Sequence, residues 1–305
     1  MSLKKVRALL NFKKKGYADT TASSFTSEDM KALKVNFKPS AENEVIPDVK
    51  VINFPKEYEE FVLPNINKHA LRLPDFNVGK LEVSNHLRSF IDWLHIAETS
   101  QEVIGTRYSS TDSLVNELCH KLWSELLASE YQVIIAPKLL SISYSVLKIH
   151  FIKSFCSLFF DKSDKYENHI QVHPEIVIEK KDIARLAIET DKQLKDIGPM
   201  TNFGETQITA ELLVCAYMNI NSTPMDQTIF FMRIISTYVT FYKAVISEAY
   251  WKELIDGLPQ EQSVVVQRWP RENGLRTGLD LTEPDERRAI LTALVKIRQH
   301  ILLVD

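Results

Sequence analysis

The sequence predicts a mixed α/β fold in which helices flank a central mixed sheet, and three observations lead there. Short β-branched or aromatic runs alternate with segments of helical period. The run Ala184 to Thr190 is apolar at Ala184, Leu186, Ala187 and Ile188, with Leu186 to Ile188 consecutive, as expected of a strand covered on both faces. A long amphipathic segment, Glu283 to Leu303, starts at Pro284 and places Ile290, Leu291, Leu294, Ile297 and Ile301 on one side, which marks a helix packed against that sheet.

The elements follow in order. Residues 1 to 80 carry Pro39, Pro47, Pro55, Pro64 and Pro74 at nearly even intervals with no sustained period, and are expected to form an extended arm. Its apolar clusters, Val49 to Phe54 and Phe61 to Leu63, would pack piecewise on a main domain spanning residues 81 to 305. From Leu81 to Glu102 the pattern is helical, with Leu87, Ile91, Trp93 and Leu94 bunched together. Ser110, Thr111 and Asp112 cap a second helix, whose Leu114, Val115, Leu118, Leu122 and Leu126 share a face. Strands are then expected at Tyr131 to Ala136, Ser141 to Phe151, Ser154 to Phe160, Glu175 to Glu179 and Ala184 to Thr190.

Gly204 opens a helix from about Glu205 to Asn219. The stretch Ile229 to Val245 is long enough for a helix, but Ile234, Ile235, Thr237, Val239, Thr240 and Val245 favour strands. Tyr250 to Gly257 reads as a short helix and Val264 to Arg268 as a strand, ahead of the closing helix.

Composition removes several function classes. With 45% hydrophobic and 25% charged residues among 305, the chain can bury one large core or two modest ones. A formal net charge of −3 gives no overall basic bias for non-specific nucleic-acid binding, though a local patch is compatible with it. Cys119, Cys156 and Cys215 have neither zinc nor disulfide spacing, and read as buried thiols in a reducing compartment. The eight histidines form no ligand motif, and the eight glycines no phosphate loop.

Near the start, Ala8-Leu9-Leu10 is too short for a signal-peptide core, and no later run is long enough to span a bilayer. An intracellular protein, cytoplasmic or nuclear and without a membrane partner, is therefore expected. Lys4, Lys5, Arg7, Lys13, Lys14 and Lys15 read first as a solvated terminus and second as a nuclear-import or phosphate-touching arm.

The chemistry lies in the middle of the chain. An acidic helix with Glu117 is followed by strands, His173-Pro174-Glu175, then Glu189-Thr190-Asp191-Lys192, then a helix with Gln207 and Glu211 one turn apart. Carboxylates in this arrangement suit one or two Mg²⁺ ions, which activate water and stabilise charge on a phosphate, and a lysine can orient the nucleophile. Pairs such as Gln207 and Glu211 ordinarily sit in solvent.

Three motifs in the same order carry a resemblance: Glu189-Thr190-Asp191-Lys192, the segment Glu205-Thr206-Gln207-Ile208-Thr209-Ala210-Glu211, and Ser236-Thr237-Tyr238-Val239-Thr240-Phe241-Tyr242-Lys243. They are similar to the Glu-Asp-Lys strand end, the Gln-Leu-Ile-Ala-Glu helix and the Gly-Thr-Tyr-Pro-Thr-Phe-Tyr-Lys segment of the PD-(D/E)XK, or restriction-endonuclease-fold, superfamily. Within it, the chain resembles fungal proteins related to the effector domains of Crinkler-type systems. The resemblance covers roughly residues 110 to 303. It implies a restriction-endonuclease-like core and a nuclease-like site with Glu117, Glu175 and Glu189 or Asp191 as Mg²⁺ ligands. Lys192 would stand beside the attacking water and Gln207 would support the site.

Two positions depart from the pattern. Glu175 replaces the aspartate that usually follows proline, keeping a carboxylate, whereas Thr190 stands where the group has glutamate, and a hydroxyl is a poor anionic ligand for Mg²⁺. Strand alternation sets Thr190 and Lys192 on one face and Glu189 and Asp191 on the other. Either a bulge brings Glu189 round or a ligand is lost. The implied function is accordingly cleavage of DNA or RNA phosphodiesters or, alternatively, an inactive module that binds a protein or nucleic-acid partner.

Overall fold

The computed structural model describes residues 20–21, 25–51, 56–99, 131–135, 170–171, 176–180, 183–190, 197–219, 225–256 and 258–303. Ten strands lie among them: β1 (Thr20–Thr21), β2 (Val35–Pro39), β3 (Tyr131–Ile135), β4 (Ile170–Gln171), β5 (Ile176–Lys180), β6 (Ile183–Thr190), β7 (Gln227–Ile235), β8 (Tyr238–Ile246), β9 (Val264–Trp269) and β10 (Leu279–Asp280). The helices are α1 (Ser27–Ala32), α2 (Glu42–Val45), α3 (Lys56–Val62), α4 (Lys68–Leu71), α5 (Asn85–Thr99), α6 (Glu205–Met218), α7 (Glu248–Asp256) and α8 (Pro284–Leu303).

Eight strands form a mixed sheet in the order β2-β9-β8-β7-β6-β5-β3, with β10 beside β8, while β1 and β4 make a separate parallel pair. Strands β3, β5 and β6 run antiparallel in sequence, and β6 and β7 are parallel, as the intervening α6 requires. The stretch read as strands despite its length is the antiparallel hairpin of β7 and β8, paired from Gln227 with Ile246 to Ile235 with Tyr238.

Alternation along the strands divides the core into two layers. Leu186, Ile188, Phe230, Met232, Ile234, Val239 and Phe241 pack with Phe61 of α3, Leu87, Ile91 and Leu94 of α5, and Ile290, Leu294, Ile297 and Ile301 of α8. Their neighbours Ala187, Ile229, Phe231, Tyr242 and Ala244 pack with Ile208, Leu212 and Cys215 of α6 and Trp251 of α7. The fold is therefore a mixed sheet with helices on both faces. Cys215 is a buried thiol, as expected.

Residues 25–80 depart from the extended arm expected of them. They contain α1 to α4 and β2, which pairs in parallel with β9 as part of the main sheet. Helices of four to seven residues are too short to show a 3.6-residue period and depend on tertiary contacts, so the sequence carries no visible pattern there. The prolines punctuate these elements: Pro39 ends β2, Pro47 lies just beyond α2, and Pro64 just beyond α3.

Two polar staples bind this segment to the C-terminal elements. The buried Arg287 donates to the carbonyls of Val62 (3.0 Å), Leu63 (3.0 Å), Leu281 (2.6 Å) and Ile66, so one cation closes the C-terminal end of α3. Lys68 Nζ donates to Asp280 Oδ2 (2.9 Å) and Tyr238 Oη (3.2 Å) and lies 3.4 Å from Glu98.

Candidate functional site

The C-terminal ends of β6 and β7 meet the start of α6, the position where open α/β sheets commonly gather functional groups. The chain reaches α6 through an unusual turn. Asn202, Phe203 and Gly204 have φ of 48°, 53° and 87°, three consecutive residues in left-handed territory. Glycine adopts this freely, but asparagine and especially a bulky phenylalanine do so at a cost, so the surroundings must hold them there.

Buried polar side chains provide that hold. Arg233, 1% exposed, donates through Nη1 to Phe203 O (2.5 Å) and Asn273 Oδ1 (3.1 Å), and through Nη2 to Thr240 Oγ1 (3.3 Å). Asn273 Nδ2 donates to Asn202 O (3.1 Å). Glu205, fully buried as the first residue of α6, accepts from Arg268 Nη1 on one carboxylate oxygen and from Asn202 Nδ2 on the other. Arg268 also donates to Arg271 O through Nε (3.3 Å) and Nη2 (2.8 Å). Two arginines, one glutamate and three amide or hydroxyl side chains thus tie α6 to β7, β8, β9 and the loop after β9.

Electrostatics follow from burial. Desolvation raises the pKa of Glu205, and attraction to Arg268 and Arg233 counters it only partly. Burial also pushes the Tyr242 hydroxyl well above its ordinary value, and its ring lies under Arg233 at 5.5 Å from guanidinium to centroid.

Gln207 and Glu211 correct the solvent-exposed expectation. They are 5% and 1% exposed, and Gln207 Nε2 donates to Glu211 Oε1 at 2.8 Å. The cause is that α6 has no wet face over this stretch, because every residue from Gly204 to Ala216 is buried. A helix enclosed on all sides that still carries Glu205, Gln207 and Glu211 keeps polar groups where apolar ones would be cheaper, the usual mark of a specified site.

Of the other residues singled out in the sequence, Glu189 and Thr190 are placed by the backbone at the end of β6, in register with Arg233 and Ile234 of β7. Glu117, Glu175, Asp191 and Lys192 lie outside the described residues, as do the expected helix at 110–126 and the expected strands at 141–151 and 154–160. Among the described residues, the pairing irregularity between β5 and β6 falls between Ile178 and Glu179 of β5. Among the described residues no group of three or more His, Cys, Asp or Glu is disposed to hold a metal.

Arg233, Arg268 and Asn273 fall outside the three motifs, whereas Tyr242 lies within the third, Ser236 to Lys243. One signal was available: Arg233 is a lone charge inside the apolar run Ile229 to Ile235, where a cation must be buried with partners. No helix among the described residues is long and apolar enough to cross a membrane. No protein-family model and no curated protein sequence matches this chain.

Proposed function

We propose that this chain is a restriction-endonuclease-like module that engages nucleic acid and uses Mg²⁺ to cleave phosphodiesters. The observation that carries the reading is the order of parts. The antiparallel β5 and β6 are followed by α6 with its buried Gln207 and Glu211, and then by β7 parallel to β6, the order of parts that the resemblance implies.

The donor set has the chemistry such an ion takes: Glu117, Glu175, Glu189 and Asp191 offer hard anionic oxygens. Bound there, Mg²⁺ would supply an activated water and a counter-charge for the phosphate. Lys192 would neutralise charge beside the nucleophile, and Gln207 would fix the Glu211 carboxylate through the bond already formed between them.

A second reading has an observation of its own. Thr190 occupies the strand-end position where a carboxylate would serve Mg²⁺ better, which favours a module that binds a nucleic-acid or protein partner without cleaving. One experiment tests both. The full chain is assayed with Mg²⁺ or Mn²⁺ on single- and double-stranded DNA and RNA, with Lys192→Ala alongside. Metal-dependent cleavage lost in Lys192→Ala supports the nuclease. Cleavage indifferent to that substitution sinks the site assignment, and binding without cleavage selects the second reading.

A further inference from the structure

The buried cluster at the start of α6 also fixes a surface. The loop after β9, residues 270–278, is exposed at Arg271, Glu272 and Arg276 but fastened underneath. Arg268 grips the Arg271 carbonyl, Asn273 is bonded to Arg233 and to Asn202, and Thr277 Oγ1 donates to Gly274 O at 3.2 Å. Gly278 ends the loop with φ of 134°, where a Cβ would come within 2.7 Å of the Val239 carbonyl, so the backbone is pressed against the sheet. Beside it, the turn that precedes α6 leaves Met200 90% exposed.

Among the described residues, the exposed charges on this rim lean positive. Lys38 at the end of β2 and Arg271 both act on the Glu44 carboxylate, which is also bound by Ala41 N–H at 2.7 Å. Glu44 therefore offsets one cation, Glu272 another, and Lys38, Arg271 and Arg276 together exceed them by one. A rigid loop loses little entropy when it meets a ligand, and the planar guanidinium fork matches phosphate oxygens in pairs.

We propose that Arg271 and Arg276, carried on this fastened loop, form a phosphate-contacting rim for a nucleic-acid strand, with Met200 packing against a base or sugar. The inference rests on the nucleic-acid reading above and adds the residues that contact the backbone. Phosphate contacts of this kind position the strand without selecting sequence.

The test measures fluorescence anisotropy of labelled single-stranded and duplex oligonucleotides with the full chain across a salt series. The variants are Arg271→Ala/Arg276→Ala and, as a control on α7, Lys252→Ala, an exposed residue paired with Glu248. Both arginine side chains are exposed, so the fold is expected to persist, and thermal melting of each variant checks this. The rim predicts about tenfold weaker binding in the double variant and a salt slope smaller by about two, one for each phosphate no longer neutralised. The control should bind as wild type. A double variant that keeps wild-type affinity and slope overturns the rim while leaving the nucleic-acid reading standing. If wild type binds no oligonucleotide, that reading falls and the rim with it. If poly-glutamate displaces the oligonucleotide at equal charge concentration, the ligand is an acidic chain and the nucleic-acid assignment is wrong.

Discussion

Replacing Arg268 by methionine should expose how much the turn before α6 depends on one ion pair. In the wild type the guanidinium satisfies one oxygen of a fully buried carboxylate, Glu205, and a backbone carbonyl of the loop after β9. Arg268→Met leaves Glu205 buried with Asn202 as its remaining donor among the described residues. Breaking a buried pair from one side costs about 3–5 kcal/mol, because the remaining charge is uncompensated. Glu205→Gln should cost less, about 1–3 kcal/mol, since the amide oxygen still accepts from Arg268. The double variant should lose less than the sum, with a coupling of about 2 kcal/mol.

Acid conditions sharpen the test. The Glu205 pKa is raised in the folded state, so its favourable contribution is complete below the unfolded value, about 4.3, and is lost as pH rises through the folded value. Removing Arg268 removes a lowering influence and widens that window. The penalty of Arg268→Met should thus be largest at pH 7 and shrink as pH falls toward the unfolded carboxyl value. Urea denaturation of wild type, both single variants and the double variant at neutral and acidic pH measures it. A penalty below about 1 kcal/mol at pH 7, or one that grows on acidification, would refute the reasoning.

Two further predictions concern the staples. Arg287→Met takes the guanidinium donor from the buried carbonyls of Val62, Ile66 and Leu281 and leaves Leu63 O with the Ile66 N–H, and although burial lowers the Arg287 pKa to about 10, the group is still charged at neutral pH. A loss of about 3–5 kcal/mol is expected in urea denaturation, with earlier proteolytic cleavage in the α3 to α5 region; unchanged stability would show that water replaces the guanidinium. At Asp280, burial acts to raise the pKa, but the two bonds from Thr282 and the Lys68 ammonium outweigh it and hold the carboxyl below its ordinary value. Its stabilisation is present above the unfolded value, about 3.9, and is lost as pH falls through the folded one. The stability difference between wild type and Asp280→Asn should therefore close below about pH 4; a gap independent of pH would count against the ion pair.

Local patterning specifies much of the mixed α/β architecture: β6, the β7 and β8 hairpin and α8 fall where apolar runs and spacing put them, and α6 starts where Gly204 opens it. It also marks Gln207 and Glu211 as one helical face, because side-chain spacing on a helix is local. Long-range packing settles the rest: that this face is buried, that the short helices of residues 25–80 form at all, and that β2 joins the sheet beside β9. Arg233 comes from one place in the chain and Arg268 and Asn273 from another, and they meet through strand pairing and loop closure. No local pattern encodes such a meeting, because burial and ion pairing depend on which distant segments exclude water together.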